Sequence, residues 1–146
     1  AEPYAMVAGF TGGSGGFYSR RGDLDSISRL DISARDSLGS VIGKITDLPF
    51  GGTDCALPML WAAKNEPTLE TFIIYTDNET WAGHTHPHQA LRDYRRETGI
   101  DAKLIVVGMT ATRFTVADLS DPGMMDVVGF SPETPRVMAE FAAGRL

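Results

Sequence analysis

The chain is predicted to fold as an α/β domain, a Rossmann-like three-layer sandwich around a mostly parallel sheet. Two near-continuous apolar runs carry this expectation, "TFIIYT" (71–76) and "KLIVVGM" (103–109). Runs without polar alternation are how strands covered on both faces of a parallel sheet read. Between them "PHQALRDYRRETG" has helical period, with Ala90, Leu91 and Tyr94 on one face. A third run, "DVVGF" (126–130), leads into a last helix that starts at Ser131-Pro132, turns Val137, Met138, Phe141 and Ala142 inward and ends at Gly144. Strands and helices in alternation imply parallel strands under right-handed crossovers.

The first half is expected to add strands and two helices. "YAMVAGF" (4–10) reads as a strand, and "SISRLDI" (26–32) as an edge strand with imperfect alternation. Between them "TGGSGGFYSRRGD" (11–23) is glycine-rich and basic, the composition of an exposed flexible loop. Asp36 is placed to cap a helix in which Leu38, Val41, Ile42 and Ile45 recur at helical spacing, ended by Pro49 and Gly51-Gly52. A second helix follows "GGTD", with Leu57, Leu60 and Trp61 on one face and Pro58 in its first turn. One domain over residues 1–146 accommodates all of this.

Composition removes several function classes. A net charge of −6 disfavours the domain itself as a primary nucleic-acid binder, because phosphate contacts need clustered Lys and Arg. No apolar run approaches the roughly 20 residues of a membrane span. The N-terminus lacks the basic start and cleavage site of a secretory signal. Cys55, the single cysteine, permits no internal disulfide and points to a reducing, cytoplasmic setting.

In open α/β sheets ligands bind beyond the carboxyl ends of the strands. Two loops are expected at that edge, "GGTDC" (51–55) and "TDNET" (76–80). Thr53 offers a hydroxyl at a helix start and Asp77 a carboxylate, oxygen donors of the kind Mg²⁺ takes while keeping several waters. Alone, each also fits an ordinary turn residue.

In this order the segments resemble a von Willebrand factor A-type domain. That family builds a metal-ion-dependent adhesion site from a D-x-S-x-S loop, a threonine in a Gly-rich loop and a later aspartate. Thr53 matches the second piece and Asp77 the third. The stretches "GGTDCALPMLWA", "TDNETWAG", "ALRDYR", "AKLIVVGMTATRFTVAD" and "DPGMMDVVGF" narrow the resemblance, over roughly residues 50–143, to the C-terminal domain of the Ro autoantigen (TROVE) family. The resemblance implies a binding module rather than an enzyme. It implies Mg²⁺ or another divalent cation at Thr53 and Asp77, and a possible protein ligand there. It also implies a helical-repeat domain in the parent protein that binds noncoding RNA.

The first strand and helix of that pattern are absent from this chain, and no D-x-S-x-S precedes Ala5. "DISAR" (31–35) is a decoy, since Arg35 stands where a serine ligand belongs and would repel a cation. The missing strand could be upstream in the natural protein, come from another chain, or be dispensed with by direct pairing of "YAMVAGF" with "TFIIYT". With few protein ligands, Mg²⁺ is expected to bind weakly.

Other candidates carry less. "HTHPH" sets out His84, His86 and His88, though Pro87 and the following helix make joint metal ligation awkward. Cys55 lacks an adjacent base. Glu79 could support the metal ligands from behind. Arg20, Arg21 and the face of Arg92, Arg95 and Arg96 offer an alternative in which the domain touches RNA directly. A Mg²⁺-dependent hydrolase is the lesser alternative, with Asp118, Asp121 and Asp126 as the remaining carboxylates for that edge.

Overall fold

The computed structural model describes residues 4–10, 27–46, 53–77, 84–109 and 115–146. The glycine-rich 11–23 segment, Arg20, Arg21, Pro49 to Gly52 and Glu79 lie outside them.

A parallel three-stranded sheet forms the centre, from β3 (Thr71–Thr76), β4 (Lys103–Gly108) and β5 (Met124–Val128) in the order β3-β4-β5. Residues of β3 and β4 pair from Thr71 opposite Lys103 to Thr76 opposite Gly108, and β4 continues the ladder from Leu104 opposite Met124. This register places Phe72, Ile74, Leu104, Val106 and Met124 on one face, and Ile73, Tyr75, Ile105, Val107, Met125 and Val127 on the other. The first face packs with two helices, α2 (Leu57–Asn65) and α3 (Pro87–Thr98), into one cluster with Cys55, Met59, Ala62, Ala90, Leu91 and Tyr94. The second face receives α4 (Thr134–Ala142) through Met138 and Phe141 on Ile105 and Val107. β4 is therefore covered on both faces and paired on both edges, as its unbroken apolar sequence requires.

The expectation for "TFIIYT" holds on one face only. Phe72 and Ile74 are buried, whereas Ile73 and Tyr75 are 46% and 57% exposed. The cause is position: α4 sits over β4 and β5, and among the described residues β3 pairs only with β4. A run that reads as buried on both faces is half open because, among the described residues, no helix packs on its second face.

Three further details differ from the sequence reading. Residues 115–123, between β4 and β5, form turns rather than a helix. β5 begins at Met124, two residues earlier than its apolar motif suggested. In α4 only Met138 and Phe141 are buried, and Val137 faces outward. The helix still ends as expected near Gly144, at φ +69°, and Lys103 Nζ donates to the carbonyls of Phe141 (2.7 Å) and Ala142 (3.1 Å), placing a cation where the helix dipole favours one.

The first half contributes an antiparallel pair, β1 (Ala8–Phe10) and β2 (Ile27–Arg29), shorter than the sequence suggested. β1 pairs with β2 and not with β3 among the described residues, so direct closure of the sheet across the missing strand does not occur. Instead Phe10 packs against the α2–α3 cluster, and Tyr4 bridges Arg29 (2.8 Å) and Glu66 (3.3 Å). Helix α1 (Leu38–Thr46) carries the expected apolar stripe but buries none of it. Its cap also differs: the Ser37 hydroxyl accepts the Ser40 N–H at 3.2 Å, while Asp36 closes the preceding turn on the Ser33 N–H and pairs with Lys44. In α2 the buried side chains are Leu57, Met59 and Ala62, and Leu60 and Trp61 are only partly covered.

Candidate functional site

The described parts of the two loops singled out in the sequence, residues 53–55 and 76–77, come together at the carboxyl end of β3. Asp54 turns the chain into α2, its Oδ1 accepting the Ala56 N–H at 3.0 Å and its carbonyl the Leu57 N–H at 3.1 Å. That turn sends Cys55 inward, 1% exposed, to a hydrogen bond with Thr76 at the end of β3. The Cys55–Thr76 contact holds the 53–55 loop against the strand end, so Thr53, one step before Asp54, and Asp77, one step after Thr76, belong to the same edge. Thr53 is half-buried and Asp77 exposed. Thr76, the sole buried polar side chain among the described residues, was not singled out from sequence, because a threonine in a strand is ordinary.

The electrostatics of this edge are acidic. Burial pushes the Cys55 thiol up to about 11; the Thr76 hydrogen bond opposes that rise, and the carboxylates of Asp54 and Asp77 add to it. The thiol is therefore protonated at neutral pH and is not a nucleophile. Burial likewise raises the Asp54 carboxyl, against the Ala56 N–H and nearby His84, which lower it. A cation beside these groups would relieve both.

Among the described residues this edge does not form a closed metal cage. Among the described residues no three His, Cys, Asp or Glu side chains gather around one point. One hydroxyl and one or two carboxylates fit a hard divalent cation that keeps most of its waters, and they do not fit a closed cage. The decoy at Asp31 to Arg35 is a surface turn, with the Lys44 ammonium 2.5 Å from the Asp31 carbonyl, so a cation is already present there.

His86 and His88 are not arranged to converge on one ion. His86 is the N-cap residue of α3 without a side-chain capping bond, and its ring stacks on His88 at 4.8 Å with 28° between planes. Stacked rings direct their nitrogens sideways rather than at one ion. Zn²⁺ should leave the melting temperature at about pH 7.5 unchanged; a rise lost near pH 5.5, where imidazoles protonate, would show that they do ligate.

The arginine face is already paired. Arg92 meets Asp118 at 2.5 Å, Arg96 meets Asp93 at 2.7 Å, and Arg95 meets Asp121 at 2.6 Å while donating to the Ala102 carbonyl at 2.7 Å. The same contacts occupy two of the carboxylates considered for a hydrolase. Asp121 stands at the amino end of β5, away from the carboxyl edge, and Asp118 lies on the run leading to it. Asp126 is within β5 opposite Val106.

The fold has known counterparts. A family profile described as the Ro60 vWA domain matches residues 16–142. The RNA-binding protein RO60 of Deinococcus radiodurans is 45% identical over 145 residues, 99% of this chain and 25% of that protein. Its counterpart in Caenorhabditis elegans, also named RNA-binding protein RO60, is 44% identical over 123 residues, 84% of this chain and 19% of that protein. The crystal structure of the Deinococcus radiodurans RO (RSR) protein aligns with a TM-score of 0.75 and 49% identity, covering 84% of this chain and 25% of that one. The chain thus spans a quarter or less of the relatives it matches. By the profile and by both relatives, it belongs to the Ro60 vWA domain family.

Proposed function

We propose that this chain is a divalent-cation-dependent docking domain of an RNA-binding Ro protein, and that contact with RNA falls mainly to a helical-repeat domain of the parent. The relatives' names supply the RNA-binding context. The observation that supports a docking role for this part is the meeting of the Thr53 loop with the Asp77 strand end, locked by Cys55 on Thr76. Thr53 and Asp77 would hold Mg²⁺, which supplies a positive centre with open positions for a ligand oxygen, such as one from a protein partner. The domain's own residues contribute a rigid edge, a fixed carboxylate and a protonated thiol that stays out of the chemistry. We read it as a binding module and not as an enzyme, and its setting as cytoplasmic.

Direct RNA contact through the arginine face is the weaker reading, because each of Arg92, Arg95 and Arg96 is matched by a carboxylate within the domain. Charge already neutralised in place releases few counterions from a nucleic acid.

Because two protein ligands leave most of the sphere to water, Mg²⁺ should bind this chain with a Kd on the order of millimolar. A version carrying a D-x-S-x-S segment ahead of Ala1 should bind at least about tenfold tighter, a gain of about 1.4 kcal/mol. Isothermal titration of both decides it. Equal affinities would remove the metal site from this edge.

A further inference from the structure

Two buried polar side chains stand beside the oxygen donors of the carboxyl edge without being donors themselves. Cys55 is 1% exposed and Thr76 4%, and a hydrogen bond joins their side chains. Each is fixed from behind. Thr76 closes the β3–β4 ladder opposite Gly108, and its carbonyl accepts the Met109 N–H at 2.9 Å. On the loop side, Asp54 accepts the Ala56 N–H at 3.0 Å and the Leu57 N–H at 3.1 Å in the turn that sends Cys55 inward. Among the described residues no backbone hydrogen bond ties that turn to β3. Apolar packing holds the two together without direction, whereas a hydrogen bond fixes one geometry. Valine would suit the strand at position 76 equally well, so the Thr76 hydroxyl meets a directional need rather than a packing one.

We propose that Cys55 and Thr76 are positioning residues for the cation: their contact sets Thr53 against Asp77 and thereby sets how tightly the edge binds a divalent ion. This rests on the reading of Thr53 and Asp77 as its ligands, each one or two residues along the chain from the contact. Two oxygens already held at one spacing bind an ion more tightly than two that must be ordered on binding, because the ordering cost is met in the free protein. Neither Cys55 nor Thr76 touches the ion.

NMR titration with Mg²⁺ of the unaltered chain, Cys55→Ala, Thr76→Val and the double variant reads this as a cycle. Each single variant should weaken Mg²⁺ binding by at least about threefold, and the double variant no further than the weaker single, since one contact cannot be broken twice. Cys55→Ser, which keeps a hydrogen-bonding group, should regain most of the affinity lost in Cys55→Ala. Without Mg²⁺, amide exchange at Ala56 and Leu57 should quicken severalfold in Thr76→Val, while the β4 amides stay protected and show that the fold is intact. Unchanged affinity in either single variant, effects that multiply in the double, or unchanged exchange at Ala56 and Leu57 would each overturn the proposal. No Mg²⁺ binding by the unaltered chain would instead sink the cation reading, and this proposal with it.

Discussion

Phe72→Ala lowers the free energy of unfolding by about 3–5 kcal/mol, the range for truncating a large aromatic in a packed core. Phe72 is 6% exposed and meets Tyr94 edge-on, with ring centroids 5.1 Å apart. Tyr94 is itself fixed, its hydroxyl donating to the Leu69 carbonyl at 2.9 Å. The neighbours of Phe72 therefore cannot collapse into the space it leaves, and the cavity cost adds to the lost transfer energy. From sequence, Trp61 is expected to cost as much. Its partial exposure lowers that to about 1–2 kcal/mol, a fraction of the full-burial value of a large apolar side chain. Chemical denaturation of both variants checks the ranking, and a loss below about 1 kcal/mol at Phe72 would place it outside the core.

The second large effect is at Arg95. Its guanidinium joins three parts of the fold: α3, which carries it, the Ala102 carbonyl just before β4, and Asp121 just before β5. Side-chain exposures of 19% and 14% for Arg95 and Asp121 make this the most enclosed of the arginine pairs. Burial alone would raise the Asp121 carboxyl, but hydrogen bonds from Arg95 and the Gly123 N–H more than offset it and leave it below the usual range. A depressed carboxyl stabilises the fold above the ordinary aspartate value of about 3.9, and that contribution disappears as pH falls below it. Breaking a fully buried pair from one side costs about 3–5 kcal/mol, and residual exposure brings the expectation for Arg95→Ala to about 2–3 kcal/mol. Arg95→Lys should not restore it, since an ammonium cannot span a carbonyl and a carboxylate in one plane. Arg92→Ala and Arg96→Ala, at more exposed pairs, should each cost under about 1 kcal/mol. Denaturation at neutral pH gives the order, and a loss at Arg95 no greater than at Arg96 would contradict this reading.

How much of this was legible in the sequence depends on whether local pattern or missing partners decided the outcome. β4 and α3 follow their patterns closely, because elements that this chain supplies cover both faces of β4 and the apolar face of α3. Ile73, Tyr75 and the α1 stripe read as core and are exposed, because periodicity marks which face is apolar and not whether anything covers it. Asp77 and Thr53 were singled out by strand-end position and the family resemblance, whereas Thr76 and Asp54, which shape the described edge beside them, carry no local signature. The arginine cluster read as a surface patch because its carboxylates lie more than twenty residues away for Arg92 and for the Arg95–Asp121 pair, beyond the reach of helical spacing rules.

The most direct test of the docking-site account is an NMR titration with Mg²⁺ of the unaltered chain and of Asp77→Ala. The account predicts that Mg²⁺ shifts the amide signals of Thr53, Asp54, Thr76 and Asp77 together, with one Kd on the order of millimolar. In Asp77→Ala these shifts should be lost while the β4 amides keep their positions, since Asp77 is exposed and removing it leaves the core intact. Shifts at other residues, or the same response in Asp77→Ala, would mean that Asp77 is a turn residue and that the carboxyl edge binds no cation.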